Sequence, residues 1–191
     1  MNRTIYNPVI KDTTTFIRTA AETGNRYTEV EVTLMPGGGT PMHYHESYEE
    51  TFRVTKGELS LQLDGKQQIT LSPGENHTIP VRARHRFFNA SSAKVTFIVL
   101  ITPGSPGFEK ALRILYGLAA DGLTAKNAMP KKMSWLAVIM ARSDMNAPGF
   151  LSLLAPLFRW YAGSRSGIIA WHYLVDRYCR NKEEDQFAVP V

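Results

Sequence analysis

Three histidines and one glutamate, His43, His45, Glu50 and His85, are the side chains here whose types and spacing can do chemistry. Neutral imidazole suits iron, manganese, nickel, zinc or copper, and a carboxylate adds a harder oxygen donor. His43 and His45 stand two apart, so on an extended segment both rings project to one face. Glu50 lies an odd number of residues further on, so Glu46-Ser47-Tyr48 must form a turn or bulge. In the run that follows, Glu50, Phe52 and Val54 share one face, while Glu49, Thr51 and Arg53 share the other. A lone carboxylate on an apolar face is costly unless it is neutralised or bound to a cation. This selects Glu50 over Glu49. His85 begins another extended run, in parity with Phe87 and Asn89, and supplies a fourth donor if the strands close into a barrel.

The elements that must position these groups change character near Pro103-Gly104. Before it, short runs rich in Thr, Val, Ile, Phe and Tyr alternate with Gly, Pro, Asn and Asp, which predicts strands and turns. Strands are expected over 14–19, 27–35, 50–55, 58–63, 67–71, 77–80, 85–90 and 94–101. Leu59, Leu61 and Leu63 face one side of their strand, and Asp64-Gly65 is a hairpin signal. Short strands at this density predict a sandwich, jelly roll or small barrel. After Gly104 the period becomes helical. Phe108, Leu112, Leu115, Tyr116 and Ala119 mark one helix face, with Gly122 as its stop. A second helix is expected over 133–143. A third should start near Pro148, capped by Asn146, and be kinked or divided at Pro156. A last helix should cover about 166–180, ahead of a charged tail at 181–185.

The spacing of the first half resembles the cupin superfamily. Gly37, His43, His45, Glu50 and Gly57 match its first motif, G-x5-H-x-H-x4-E-x6-G. Gly74, Pro80, His85 and Asn89 match its second, G-x5-P-x-G-x2-H-x3-N, except that Arg82 stands where the family has a glycine. Arginine tolerates the backbone that a glycine there would permit poorly, so the turn before His85 is expected to differ. The resemblance implies a jelly-roll β-barrel holding one divalent transition metal on His43, His45, Glu50 and His85. It does not reach residues 104–191. The expected fold is therefore mainly β with an α-helical C-terminal part, a barrel over 1–103 and a helical extension over 104–191.

Composition bounds the remaining readings. A chain of 191 residues with 43% hydrophobic and 20% charged side chains is that of an ordinary globular protein. The single cysteine, Cys179, can form neither an internal disulfide nor a thiolate metal site. No signal peptide and no membrane-length apolar run is evident, so the cytoplasm is the expected location. The net charge of +5 lies mostly in the second half, where residues 104–191 carry 11 Lys+Arg against 7 Asp+Glu. These basic residues are spread among apolar ones, so nucleic-acid binding is not expected. The helices are expected to pack on the barrel, on one another and on a subunit partner, giving a homo-oligomer. Contact with an anionic membrane surface and a lid over an apolar pocket are the secondary readings.

Several other features have plain readings. His77 is expected to be solvated or hydrogen-bonded, and His172 has no assigned role. Gly37-Gly38-Gly39 is a flexible approach to the His-x-His segment, since no helix follows it to cradle a phosphate. Arg82, Arg84 and Arg86 alternate with His85 and form a solvated face. A metal-binding protein acting on a small organic molecule, with oxygenase-like or isomerase-like chemistry, is the expected function. The alternative is a non-catalytic small-molecule binding or sensing module, its helices serving oligomerisation or membrane contact. No general base can be named.

Overall fold

The computed structural model describes residues 2–64 and 67–180. The Asp64-Gly65 hairpin signal and the charged tail at 181–185 fall wholly or partly outside them. The eight expected strands are present as β2 (Asp12–Arg18), β3 (Thr28–Leu34), β4 (Glu49–Lys56), β5 (Leu59–Gln62), β6 (Gln68–Leu71), β7 (Asn76–Ile79), β8 (Arg86–Phe88) and β9 (Val95–Thr102). A further strand, β1 (Thr4–Asn7), pairs antiparallel with β2 and was not expected. Only Asn7 of that strand is buried, so it carries no alternating apolar signal.

The strands form two antiparallel sheets, ordered β1-β2-β3-β9-β4-β7 and β6-β5-β8. Phe16, Val30, Phe52, Leu61, Phe87 and Phe97 fill the space between them, a jelly-roll core built from alternate residues of each strand. β4 follows the expected parity, with Glu50, Phe52 and Val54 buried. Leu59 and Leu61 are fully buried, and Leu63 packs beside them. The glycine run is closely packed rather than merely flexible. A Cβ on Gly38 would meet the Ile10 carbonyl oxygen at 2.5 Å, and one on Gly39 the Phe87 carbonyl oxygen at 2.7 Å.

The second half is helical. α1 (Pro106–Ala120) starts at Ser105, whose side chain accepts the Phe108 N–H, and it ends before Gly122, which takes a left-handed φ of +69°. α2 covers Met133–Ser143. The third helical segment corrects the expectation. α3 (Phe150–Leu153) begins after Gly149, and no side chain caps it. Asn146 instead donates its side-chain N–H to the carbonyl and carboxylate oxygens of Asp144. Pro156 does divide the segment, because α4 (Ala155–Gly163) starts there as a separate helix. α5 (Arg165–Cys179) is capped by Ser164. Phe108 and Leu112 of α1 pack against the sheet core, while Ala111, Ile114 and Leu118 pack among α2, α4 and α5. α1 is thus the wall shared by both halves. Phe150, Leu153, Leu157 and Trp160 of α3 and α4 stay exposed. No helix among the described residues is long and apolar enough to cross a membrane.

Candidate metal centre

A small ladder outside the named strands brings the two motif regions together. The backbone N–H of His43 donates to the carbonyl of His85 at 2.9 Å, and that of His85 donates back at 2.9 Å. Tyr44 exchanges the same pair of bonds with Asn146, at 2.9 and 3.0 Å, so the His-x-His segment lies between the sheet and the end of α2. The expected turn at Glu46-Ser47-Tyr48 is present. It is fixed by Asp144, whose Oδ2 accepts the N–H of Glu46 at 2.8 Å and both the N–H and hydroxyl of Ser47 at 2.6 Å. Arg82 takes the left-handed backbone that a glycine would, with φ +67°, and its N–H donates to the His45 carbonyl at 2.6 Å. The turn before His85 therefore keeps the conformation that its arginine was expected to lose.

These constraints place one ligand atom each from His43, His45, Glu50 and His85 within 4.8 Å of one another, a group that can hold a metal ion. The Nε2 atoms of His85, His45 and His43 lie 2.7, 3.3 and 3.9 Å from Glu50 Oε2. Each ring is oriented from behind by a backbone carbonyl. Nδ1 of His43 faces Pro41 O at 2.8 Å, that of His45 faces Asp144 O at 2.9 Å, and that of His85 faces Ala83 O at 3.0 Å. A carbonyl accepts only, so this network assigns the proton of each neutral ring to Nδ1. In that neutral form three Nε2 lone pairs converge on a carboxylate with no proton between them. His45 Nε2 is buried without any hydrogen-bond partner. Such a set of acceptors fits a cation at its centre.

Without a cation, protons on the imidazoles take its place beside the carboxylate. Burial alone would push the Glu50 carboxyl up, yet the charge of His45 and bonding to all three histidines hold it well below the usual carboxylate range. Burial also opposes charge on His45, but Glu50 overrides it and raises that ring. Burial lowers His43 despite the same carboxylate.

The centre opens on a cavity of about 140 Å³. Val30, Val32 and Val99 of the sheet form one wall, and Leu112, Leu115 and Ile139 of α1 and α2 form the other. The helices therefore cover an apolar pocket, one of the two secondary readings of the second half. No Lys or Arg is among the described residues that line it. His77 is half-buried on β7 outside this lining, and His172 is exposed on α5. Arg82 and Arg84 are exposed as expected, while Arg86 donates to Gln62 Oε1 at 2.7 Å and stacks on Phe88.

Asp144, Asp12 and Tyr116 are polar residues of the site that the motifs do not include. Asp144 orients His45 and the turn before Glu50. Asp12 and Tyr116 also line the cavity, and the Tyr116 hydroxyl donates to Asp12 Oδ2 while lying 2.9 Å from Thr14 Oγ1. Asp12 had a usable signal. It shares parity with Phe16, so the rule that picks Glu50 also picks Asp12 once β2 is started at residue 12 instead of 14.

Residues 30–101 match the cupin domain family. The polyketide synthase CurC of Streptomyces cyaneus is 32% identical over 73 residues, which cover 38% of this chain and 47% of that protein. The chain thus spans about half the length of that curated relative. Among solved structures, the polyketide cyclase RemF from Streptomyces resistomycificus is 27% identical, covering 50% of this chain and 67% of its own, with a TM-score of 0.45. A predicted oxalate decarboxylase from Thermotoga maritima is 17% identical, covering 49% and 81%, with a TM-score of 0.47.

Proposed function

Because this chain belongs to the cupin superfamily through residues 30–101, we propose that it is a metal-dependent enzyme for a small, largely apolar organic molecule. The observation that carries this reading is the convergence of three carbonyl-oriented imidazoles and one carboxylate at the edge of an apolar cavity. His43, His45, Glu50 and His85 hold one divalent transition metal. Bound there, the metal supplies Lewis-acid or redox chemistry to an oxygen of the substrate. The chain's own residues do the rest. Pro41, Asp144 and Ala83 carbonyls fix the ring orientations, and the Val and Leu walls hold the carbon skeleton and exclude water.

The lining also bears on substrate class. Without lysine or arginine, the cavity offers a phosphate or a second carboxylate no partner. An oxygenated carbon skeleton suits it better, and the polyketide synthase name of the 32% identical relative supports that choice.

The test is metal analysis of purified protein, followed by product and oxygen-uptake assays with phenolic and diketone substrates. The expected result is about one transition metal per chain and turnover that vanishes on chelation and returns with metal. Oxygen consumption with product marks an oxygenase, and product without it marks an isomerase-like reaction. Protein that binds these compounds equally well without metal and turns none over is a binding module, and the enzyme reading is then wrong.

A further inference from the structure

The cavity has a second polar end. Phe108 meets Tyr48 edge-on, with ring centroids 5.9 Å apart, and Tyr48 stacks on His45 at 4.3 Å, so Phe108 marks the metal end of α1. Tyr116 lies eight residues further along the same helix. At 1.5 Å per residue that is about 12 Å away. Between them the wall is Leu112 and Leu115, faced by Val30 and Val32.

At that far end Asp12 is only 1% exposed, and its Oδ1 has no hydrogen-bond partner among the described residues. Its other oxygen takes the Tyr116 proton, and Tyr116 in turn can accept only from Thr14. A purely structural contact would be complete with the Tyr116–Thr14 pair. Adding a carboxylate leaves an acceptor stranded in an apolar wall, which is destabilising unless something donates to it. No lysine or arginine is among the described lining residues to do so.

We propose that Asp12, held by Tyr116 and Thr14, is a second binding site whose Oδ1 hydrogen-bonds a hydroxyl at the far end of a two-ended, flat or extended apolar ligand. The ligand's other end carries the oxygen that faces the metal, which is the part that rests on the function proposed above. A hydroxyl fits because it can donate to an ionised Oδ1 or accept from a protonated one, and it brings no charge to an end of the pocket without lysine or arginine among its described lining. A second carboxylate or a phosphate there would be a buried charge without a lysine or arginine to pair with it. Asp12 is in this sense a specificity-determining residue, about one ligand length from the chemistry.

The probe pair is 6-hydroxy-2-naphthoate and 2-naphthoate, titrated calorimetrically into the zinc-loaded full chain. The two differ only in the distal hydroxyl. Wild-type protein is expected to bind the hydroxy compound at least about tenfold tighter, because a site built to pair with a hydroxyl discriminates strongly against its absence. Asp12→Leu should bring the ratio to about one and leave the zinc content unchanged. Should that variant fold poorly, Asp12→Leu combined with Tyr116→Phe replaces both partners by apolar groups, a change that is nearly neutral when made together. Equal binding of the two probes by wild type overturns the far-end site, as does a ratio that survives Asp12→Leu. Failure of both probes to bind also overturns it, because the cavity then takes no such two-ended ligand. Zinc-stripped protein that binds both probes as tightly as the loaded form counts against the metal reading alone, and the hydroxyl ratio still judges Asp12.

Discussion

Glu50 and Asp12 are both buried carboxyls on the inner face of the same sheet, lining the same cavity, and they titrate in opposite directions. Burial drives both upward. At Glu50 the histidines win, and the group stays ionised. At Asp12 burial wins over the hydrogen bond from Tyr116, and the carboxyl is pushed up to about 7. The difference lies in the partners: imidazoles can carry positive charge, whereas the Tyr116 hydroxyl cannot. One end of the cavity is therefore built to hold a cation and the other to hold a neutral hydrogen-bonded group. That division is what gives the pocket a direction.

The largest expected effect breaks the cation end. Glu50→Ala or His45→Ala should lower metal affinity by more than about 100-fold, the upper range for losing only a supporting residue. Both variants should still fold, since the core rests on Phe16, Phe52, Phe87 and Phe97 rather than on the centre. Metal analysis beside a thermal melt checks both statements. Full occupancy in the two variants would show that the cation is held elsewhere.

The neutral end is probed by pH. Folded Asp12 keeps its proton up to about 7, whereas the unfolded chain releases it near 3.8. Between those values the folded state binds more protons, so this residue lowers stability as pH rises and adds nothing further above about 7. Asp12→Asn retains an acceptor for Tyr116 and does not titrate. Its stability relative to wild type should climb across that window and then level off, by at most about 4 kcal/mol for three pH units. Denaturant melts at several pH values measure the difference, and the centre's own titration is common to both proteins. A difference that is flat with pH would mean that Asp12 is already charged, and the two ends would no longer contrast.

A smaller effect belongs to the strut between helix and metal end. Asp144→Ala removes three hydrogen bonds to Glu46 and Ser47 from a residue with φ +58°. It should weaken metal binding by about tenfold, the lower end for residues that orient ligands. Asp144→Asn tolerates that backbone and keeps an acceptor, so it should recover most of the loss. An unaltered affinity in Asp144→Ala would make the helical half a cover with no hold on the centre.

What sequence could and could not disclose follows the same division. The metal end is short-range: His43, His45 and Glu50 sit within eight residues, and strand parity alone identifies the carboxylate. The turn at residues 46–48 was required by that parity and is present. The far end joins residues 104 apart on β2 and α1, and nothing in either segment announces the other. Tyr116 was legible as part of a helix face but not as a hydroxyl donor. Likewise the fold class and the division at Pro156 could be read from local chemistry. The cap assigned to Asn146 could not, because backbone pairing with distant Tyr44 and a local side-chain bond to Asp144 took that residue instead.

Arg82 offers the finest test of how rigidly the metal end is built. Its φ of +67° is a conformation that disfavours a side chain by about 1 kcal/mol, while glycine would adopt it freely. Arg82→Gly removes that strain but loosens the unfolded chain by about 0.4–1 kcal/mol. The two terms nearly cancel, so the expected outcome is a gain of no more than about 0.5 kcal/mol, or one to two degrees in Tm. Metal affinity should not change, because the Arg82 N–H to His45 bond uses only backbone atoms. Asp12, on β2 and far from this turn in the strand order, should keep its pH profile. A loss of metal in Arg82→Gly would show that stiffness of this turn, and not just its shape, holds His45 and His85 together.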